Sequence, residues 1–403
     1  MKNQHYVCLI DYTGAGDFFL RVARADTCRQ YTFVTTVPSV VIKAKQASNV
    51  TTHFVSRLSP KGNRTLETFE RCKELGLKFL TLKSAEQLAR RIFYQCDKII
   101  SLHGDVVFLL WNGDSIMGEV ARVIKAEGRA KTLFCEIANL PGKLFADSEG
   151  VNMRSSLFRT PDKVMQYADV ESFDFNAWSE EFTKSKLSPG SGEPPQAKLS
   201  QKLSLFNFMD FVIVQLIGYR FFSYQAILNK LKISRLKKAF KKKLSKTPTP
   251  AELPKEEFVF FPMQVSSDTQ IVLNSNYDNL QALDYLVENF EGPFVIKPHP
   301  AEGDIGYIYD YLKKISRNDI YLVFDNTYRL IQQSKEVFVI NSTVGFEAML
   351  MNKKVTFIGE TLYKSLKPEQ IKYYVGAYLV NIDFFSHEPI SNSDVQALYQ
   401  RLE

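Results

Sequence analysis

Residues 336–347 read EVFVINSTVGFE. The run 336–340, in which β-branched and aromatic side chains follow Glu336, leads into Asn-Ser-Thr and then into a helical spacing of apolar residues. This order predicts a buried strand that turns directly into a helix. Free backbone N–H groups and the helix dipole favour an anion at such a helix start. The stretch therefore predicts one repeat of an α/β sheet together with a candidate anion site.

The same strand-and-helix alternation surrounds this stretch. Helical patterns occupy Asn279–Phe290 and Tyr307–Ile315. The neighbouring runs of strand length are 258–262 (FVFFP), 293–297 (PFVIK), 320–324 (IYLVF) and 354–358 (KVTFI). Strands that alternate with helices predict a mostly parallel sheet that is covered on both faces.

The first half of the chain repeats the pattern. Helical spacing is found at Thr65–Leu75 and Ser84–Tyr94. The apolar runs are 6–10 (YVCLI), 31–36, 98–102, 106–110 and 131–135. A chain of 403 residues is too long for one ordinary core and suits two domains. The predicted fold class is α/β, with a first Rossmann-like domain over 1–183 and a second over 255–403.

Residues 184–254 differ in composition from both halves, and we predict a linker and a basic helical segment there. The part 184–198 is rich in Pro, Gly and Ser, which is typical of a linker. Lys230–Lys246 contains nine Lys or Arg and no acidic residue, within a net charge of +7 for the chain. Apolar residues recur along 228–246 at helical spacing, so this segment suits an anionic membrane surface. A helix that packs on the protein with a solvated basic face is the alternative.

Composition narrows the class of protein. The five cysteines form no CxxC pair, so neither a zinc site nor a disulfide framework is indicated, and a reducing cytosol fits. The longest apolar run, Phe211–Gly218, is far shorter than a membrane span. No nucleic-acid motif accompanies the basic segment, so no nucleic-acid partner is expected. We expect the protein in the cytoplasm or at the inner-membrane surface.

Three polar segments follow predicted strands of the second domain. They lie within Gln264–Gln270, Ile296–Pro300 and Val339–Ala348. Ligands of open α/β sheets bind outside the carboxyl ends of the strands, so these segments predict the binding crevice. Asp268 reads as a nucleophile or base, or else as a helix N-cap.

The other two segments offer contacts for a negatively charged ligand. His299, between two prolines, can donate to a phosphate oxygen beside Lys297, or it is a buried structural histidine. Ser342 and its neighbours bind an anion or are a plain N-cap. Glu347, one helical turn further on, could hold a ribose hydroxyl.

Together these motifs resemble a known family. QVSSDTQI (264–271), KPHP (297–300), NSTVGFEAML (341–350) and KKVTFIGETLY (353–363) resemble the carboxy-terminal domain of bacterial β-Kdo transferases. Those enzymes belong to the capsule polysaccharide biosynthesis group, which also contains O-antigen-capping enzymes. In the first half, LWNG (110–113), FCEIANLPGK (134–143) and DSEGVN (147–152) resemble the same group.

The resemblance implies a GT-B-like architecture, in which two Rossmann-like domains face a central cleft with a helical insert between them. It implies CMP-β-Kdo as donor, a glycan or glycolipid as acceptor, and retention of configuration. Asp268 would be the nucleophile, Glu136 the base and His299 the contact to the departing phosphate. The implied donor contacts are Gln264, Lys297, Pro300, Asn341, Ser342, Thr343 and Glu347, and the implied acceptor or sugar contacts are Asn112, Asp147 and Asn152.

No cofactor and no metal ion are expected, because no D-x-D pattern occurs in a matching loop. Gly14-Ala15-Gly16 lacks the third glycine of a dinucleotide fingerprint, since position 19 is Phe19, so NAD binding is not predicted. An inverting CMP-sialic-acid transferase stays open as an alternative. So do a non-catalytic glycan-binding or export-assembly protein and, more distantly, a sugar-nucleotide epimerase.

Overall fold

The computed structural model describes residues 4–138, 140–167, 173–188, 205–219, 252–266, 268–302, 304–315 and 317–402. Its strands are β1 (His5–Ile10), β2 (Tyr31–Thr35), β3 (Val50–Phe54), β4 (Val106–Trp111), β5 (Lys131–Ile137), β6 (Leu144–Asp147), β7 (Val259–Pro262), β8 (Phe294–Lys297), β9 (Ile320–Leu322), β10 (Glu336–Val339) and β11 (Lys354–Phe357).

The helices are α1 (Thr13–Ala25), α2 (Pro38–Ala44), α3 (Lys73–Gly76), α4 (Leu82–His103), α5 (Ile116–Ala126), α6 (Ser156–Arg159), α7 (Phe175–Leu187), α8 (Leu205–Leu216), α9 (Thr269–Asn274), α10 (Asn279–Asn289), α11 (Gly306–Lys314), α12 (Thr327–Gln333), α13 (Thr343–Leu350), α14 (Leu362–Ser365), α15 (Pro368–Tyr373) and α16 (Asn392–Tyr399). Short 3-10 turns occur at Asn152–Arg154, Pro161–Gln166 and Gln400–Leu402, and a π-helical turn at Tyr374–Tyr378.

The chain divides into two compact units. Unit 1 comprises the described residues within 1–168, 201–228 and 373–403, and unit 2 those within 169–200 and 229–372. Each unit contains its own sheet and its own apolar core. The predicted α/β class with two Rossmann-like domains is therefore confirmed.

The sheet of unit 1 has the strand order β3-β2-β1-β4-β5-β6. Strands β1 to β5 are parallel, and β6 runs antiparallel to β5. The central strands β1 and β4 are almost wholly buried, as their continuous apolar sequences require. The chain leaves β1 toward β2 and β3 and then returns to β4, so the crevice between β1 and β4 is the topological switch point of this sheet.

The C-terminal segment returns to unit 1. Val380 forms an antiparallel bridge with Leu144, and the Tyr378 hydroxyl donates to the carbonyl of Ala146 at 2.7 Å. Leu398 and Tyr399 of α16 complete the core over β1 and β2. This differs from the predicted second domain of 255–403, because the apolar side chains of the last thirty residues find their partners in the first sheet.

Unit 2 has the strand order β11-β10-β7-β8-β9, with every strand parallel. Its first strand, β7, lies at the centre, between β8 and β10. Helix α7 also belongs to this unit, because the Ser179 hydroxyl donates to the carbonyl of Leu350 at 2.8 Å. The predicted first domain of 1–183 therefore ends before α7.

Three local predictions were wrong or incomplete. Residues 98–102 (KIISL) are not a strand but the last turns of α4. The helix predicted at Thr65–Leu75 is limited to Lys73–Gly76. Strands β3 and β6 were not predicted, because their sequences, VTTHF and LFAD, are short and partly polar.

The basic segment 228–246 lies outside the described residues, so its predicted membrane contact stays a prediction. Among the residues that the structure describes, no helix combines the length and apolar character that crossing a bilayer requires.

Replacing Leu398 with alanine tests the C-terminal return. Leu398 is fully buried in the core of unit 1, and a Leu→Ala change at such a site costs about 2–5 kcal/mol. We expect this loss of unfolding free energy in a urea titration that follows the fluorescence of Trp111. A Trp178→Phe background leaves Trp111, in unit 1, as the one tryptophan. The exposed Gln400→Ala serves as control and should change stability by less than about 0.5 kcal/mol. Equal, small effects of both changes would contradict the placement of this segment.

Candidate functional site

The predicted donor segments meet at one edge of the second sheet. The loop 264–268 follows β7, the loop 298–302 follows β8, and Asn341 and Ser342 follow β10. These three strands are neighbours and parallel, so their carboxyl ends share an edge. The chain reverses its direction of travel between β7 and β10, which makes this edge the switch point of unit 2.

A buried amide network fixes the distance between two of these loops. Gln264 Nε2 donates to Asn341 Oδ1 at 3.0 Å, and the Asn341 N–H donates to Gln264 Oε1 at 3.3 Å. Asn279 exchanges hydrogen bonds with the backbone N–H and carbonyl of Gln264, at 3.0 and 2.8 Å. Asn341 Nδ2 donates to the carbonyl of Gln270 in α9 at 2.9 Å. Gln264 and Asn341 therefore hold the loops together, and their predicted contact to a donor stays a prediction.

A second tie joins the loop after β7 to the loop after β8. The N–H and the hydroxyl of Ser266 both donate to Glu302 Oε2, at 2.8 and 2.9 Å. The N–H of Glu302 donates to the carbonyl of His299 at 2.9 Å and closes a turn between these two residues. No sequence pattern had pointed to Glu302. The tie keeps the Asp268 loop beside His299.

Asp268 is the N-cap of α9. Its Oδ1 accepts a hydrogen bond from the N–H of Gln270 at 2.9 Å, which is the capping role that the sequence left open. No described residue donates to its other oxygen, Oδ2. Burial raises the pKa of Asp268, while the Gln270 N–H and the charge of His299 act in the opposite direction. The cap thus leaves one carboxylate oxygen with capacity for another partner.

His299 is half-buried, and its ring orientation is fixed. Nδ1 accepts a hydrogen bond from the N–H of Ala301 at 3.0 Å, so the neutral ring carries its proton on Nε2. Burial lowers the pKa of His299; Asp268 opposes that shift, Lys297 adds to it and Glu302 opposes it. The ring is therefore disposed to be a neutral Nε2–H donor near pH 7.

Lys297, at the end of β8, is held by a hydrogen bond from Nζ to the Thr327 hydroxyl at 2.5 Å. Burial lowers the pKa of Lys297, and Asp325 opposes the shift. Pro300 is exposed. Asp268 and Lys297 both affect the pKa of His299, so the structure brings the central predicted residues together around this ring.

Ser342 caps α13. Its hydroxyl accepts from the N–H of Val344 at 3.2 Å, and Thr343 begins the helix. The N-cap alternative is therefore observed. A capped helix start still presents a positive dipole end at the crevice.

Glu347 lies in a buried cluster. Its Oε1 accepts from the Tyr328 hydroxyl at 2.8 Å and from Lys186 Nζ at 3.2 Å. Burial raises the pKa of Glu347, although Lys186 and Tyr328 oppose the shift. A ribose contact stays a prediction, and it would require this cluster to open.

In unit 1 the structure gathers three predicted residues around one carboxylate. Asn112 Nδ2 donates to Glu136 Oε1 at 2.8 Å, and Asn152 Nδ2 donates to Glu136 Oε2 at 3.0 Å. A carboxylate can only accept, so the amide nitrogens must face it. Both asparagines adopt left-handed backbone angles, with φ of 62° and 51°. Glu136 is therefore clamped in one orientation.

Glycine permits the turn that delivers Asn112. Gly113 has φ of 88°, and a Cβ there would lie 2.4 Å from the ring of Phe134. A Cβ on Gly118 would lie 1.9 Å from the carbonyl oxygen of Gly113. The start of α5 consequently packs directly on the turn.

Asp147 is fully buried, and its oxygens are occupied by the protein. Oδ1 accepts from the N–H groups of Glu149 and Gly150, at 2.8 and 3.3 Å, and Oδ2 accepts from the Ser156 hydroxyl at 2.7 Å. These bonds shape the turn that carries Asn152. Asp147 thus positions that turn, and its predicted contact to a sugar stays a prediction.

The switch point of unit 1 also holds charges that the sequence analysis did not identify. Lys73 Nζ pairs with Asp11 Oδ2 at 2.6 Å, and both are buried. Glu74 accepts the N–H of Ile116 on both carboxylate oxygens at 3.2 Å, at the start of α5. Burial raises the pKa of Glu74 to about 7, against the charge of Lys73. Asp11 directly follows β1, so the strand-end rule applied to the second half would have found it.

Within the described ranges, no group of three or more His, Cys, Asp or Glu side chains is arranged to hold a metal ion. Metal independence stays a prediction.

A family model identifies the family of this chain. A family model described as "Capsule polysaccharide biosynthesis protein" matches residues 128–366, more than half of the chain. Protein FixF of Sinorhizobium fredii is 37% identical over 115 residues, which cover 26% of this chain and 27% of FixF. The chain thus aligns with about a quarter of the length of that curated relative.

Solved structures of low similarity also match. The β-Kdo 2,7 transferase of Thermosulfurimonas dismutans KpsC is 18% identical, with a TM-score of 0.38 over 77% of this chain and 88% of that one. The β-Kdo 2,4 transferase of the same protein is 15% identical, with a TM-score of 0.39 over 73% and 87%. A UDP-GlcNAc 2-epimerase from Neisseria meningitidis is 11% identical, with a TM-score of 0.26 over 91% and 85%. Likenesses at these TM-scores are too weak to carry a function across.

The proximity of Asp268 and His299 can be tested by titration. The carboxylate opposes the fall in the pKa of His299, so Asp268→Asn should lower that pKa further. Proton NMR can follow the ring, since the chain has only five histidines. Asp278→Asn is the matched control, because Asp278 is also an N-cap, of α10, and should leave His299 unchanged. Equal shifts in both variants, or a rise for Asp268→Asn, would contradict the arrangement.

Proposed function

Because this chain belongs to the capsule polysaccharide biosynthesis protein family, we propose that it is a retaining glycosyltransferase that moves Kdo from CMP-β-Kdo. The acceptor is a glycan or glycolipid of capsule or lipopolysaccharide O-antigen biosynthesis. One observation carries the proposal: Asp268, His299 and the start of α13 occur together at the shared edge of β7, β8 and β10. Such a transfer needs a carboxylate close to hydrogen-bond donors that can bind an anion.

The donor carries a phosphate and a sugar carboxylate, and unit 2 offers complementary groups for both. His299 presents an Nε2–H, Lys297 a positive charge, and α13 the positive end of its dipole. As the bond to the sugar breaks, negative charge grows on the departing CMP. The same three groups stabilise that charge, so the proposal contains no metal ion.

Asp268 forms the first covalent bond in this mechanism. Its free oxygen, Oδ2, attacks the anomeric carbon while the bond to the phosphate oxygen of CMP breaks. The transition state resembles an oxocarbenium ion, which a neighbouring carboxylate stabilises. The result is a glycosyl ester on Asp268 and free CMP.

Glu136 acts in the second step. It takes the proton of the acceptor hydroxyl, whose oxygen then attacks the anomeric carbon and releases Asp268 as a carboxylate. Two successive inversions give net retention. The Asn112 and Asn152 amides hold Glu136 in one orientation, so no rotamer search precedes proton transfer.

Asp268→Ala should abolish Kdo transfer but leave CMP binding intact, because the change removes the nucleophile and none of the proposed phosphate contacts. Product formation by NMR and CMP affinity by calorimetry measure the two effects. Asp278→Ala, at the N-cap of α10, controls for the loss of a helix cap. Activity of Asp268→Ala within about tenfold of wild type, an effect of roughly 1.4 kcal/mol, would remove Asp268 from the mechanism.

Glu136→Gln should separate the two steps. It cannot accept the acceptor proton, so the glycosyl ester should accumulate when CMP-Kdo is supplied. Intact-mass spectrometry should show one added Kdo, and peptide mapping should locate it on Asp268. An adduct on another residue would refute the assignment of the nucleophile, and formation of an inverted product would refute retention.

The proposal also predicts a pH dependence. Asp268 must be ionised to attack, and burial raises its pKa above the ordinary 3.8. The value of kcat/KM should therefore fall with decreasing pH at a higher pH than an ordinary aspartate would give. When His299 is protonated at acidic pH, its charge lowers the pKa of Asp268. His299→Gln removes that charge, so this limb should move to still higher pH. CMP affinity over the same range separates binding from chemistry, and a limb that does not move would contradict the coupling.

A further inference from the structure

Helix α8 of unit 1 exposes its apolar side chains. Leu205, Phe208 and Leu216 are 84%, 66% and 72% exposed, and Val212 is also exposed. Their spacing of three and four residues places them on one stripe of the helix. The charged residue of α8, Asp210, is buried on the opposite side. This is the reverse of the pattern that a helix on a water-facing surface shows.

Hydrogen bonds fix that orientation, and those made by Asp210 are buried. Asp210 accepts from the N–H and the hydroxyl of Ser39, at 2.7 and 2.6 Å. At the C-terminal end of α8, Arg57 Nη2 donates to the carbonyls of Gln215 and Leu216, both at 3.0 Å. Rolling the helix to hide its stripe would break these bonds and leave a buried carboxylate without its donors, which is costly. The exposed stripe is thus a consequence of how α8 is held.

The surroundings of the stripe are apolar and cationic. Leu58, which follows Arg57 in the chain, is a further apolar side chain that is 76% exposed. Lys43 lies 5.5 Å from the ring centre of Phe206 near the start of the helix, and Arg57 lies at its end. Asp17 pairs with Lys43 at 2.7 Å. Arg57 therefore places a positive charge at the end of the stripe, whereas Asp17 balances the charge of Lys43 near its start.

We propose that this stripe, the α8 patch of Leu205, Phe208, Val212 and Leu216, docks on the surface of an anionic phospholipid bilayer. The helix has twelve residues and a length of about 18 Å, so it can lie in the headgroup region but is too short to span the bilayer. The patch enters the boundary between headgroups and acyl chains, while Arg57 lies near a lipid phosphate. This role is independent of the reaction proposed above.

The size of the patch favours a bilayer over a second copy of the chain. The exposed parts of its four side chains amount to roughly 500 Å², whereas a stable protein interface covers about 800 Å² on each partner. A bilayer needs no complementary shape, and anionic headgroups add attraction for Arg57.

Vesicle flotation of the full chain tests the proposal. Wild type should float with phosphatidylcholine–phosphatidylglycerol vesicles and bind weakly to phosphatidylcholine alone. Phe208→Ser with Leu216→Ser should lower the partition coefficient on the order of a hundredfold or more, because two large apolar side chains lose their burial. Leu102→Ser on α4 is the matched control: Leu102 is 70% exposed, and its loss should change nothing.

A second measurement guards against misfolding of the double variant. In a Cys28→Ser background, which removes the exposed cysteine among the five, an environment-sensitive dye is attached at Leu216→Cys or at Leu102→Cys. Anionic vesicles should shift the emission of the first to shorter wavelength and leave the second unchanged. Absence of wild-type flotation, or equal binding by the double variant, would overturn the proposal. So would a dimer in light scattering that the double variant abolishes while vesicles have no effect.

Discussion

The reciprocal hydrogen bonds between Gln264 and Asn341 are the constraint on which the rest of the second sheet's edge depends. Both amides are buried, and a buried amide without partners costs free energy, so the two side chains must remain paired. The pair fixes the spacing of the loops after β7 and β10. Asn341 extends the constraint to α9, whose N-cap is Asp268. The candidate nucleophile is therefore positioned by amides that are themselves occupied.

In unit 1, paired polar side chains likewise fix the position of a carboxylate, here that of Glu136. Asn112 and Asn152 accept left-handed backbone angles in order to place their amides on the two oxygens of Glu136. Asp147, fully engaged, holds the turn beneath Asn152. In both units, polar side chains at strand ends hold one another, and this preorganisation is what a transfer between fixed groups requires.

Sequence patterns predicted most of the strands, because a parallel strand buried on both faces needs a continuous apolar run. They failed at 98–102, since a short apolar run fits a buried strand or the inner face of a helix such as α4 equally well. The strand-end rule identified Asp268, His299 and Ser342. It could not identify Glu302, whose importance arises from a bond to Ser266 across 36 residues of chain. The same rule could not identify Lys73 and Glu74, because their partners are also distant in sequence.

By itself, the sequence determined two α/β sheets, the order of the strand-end motifs and the family to which they belong. Each of these follows from residues that are neighbours along the chain, whose spacing alone sets helix, strand or turn. Only the tertiary structure decided that Glu347 pairs with Lys186, that 373–402 completes the first core, and that α8 turns its apolar stripe outward. Those outcomes depend on burial and on hydrogen bonds between residues far apart in sequence. The local spacing of residues does not indicate which distant groups come into contact.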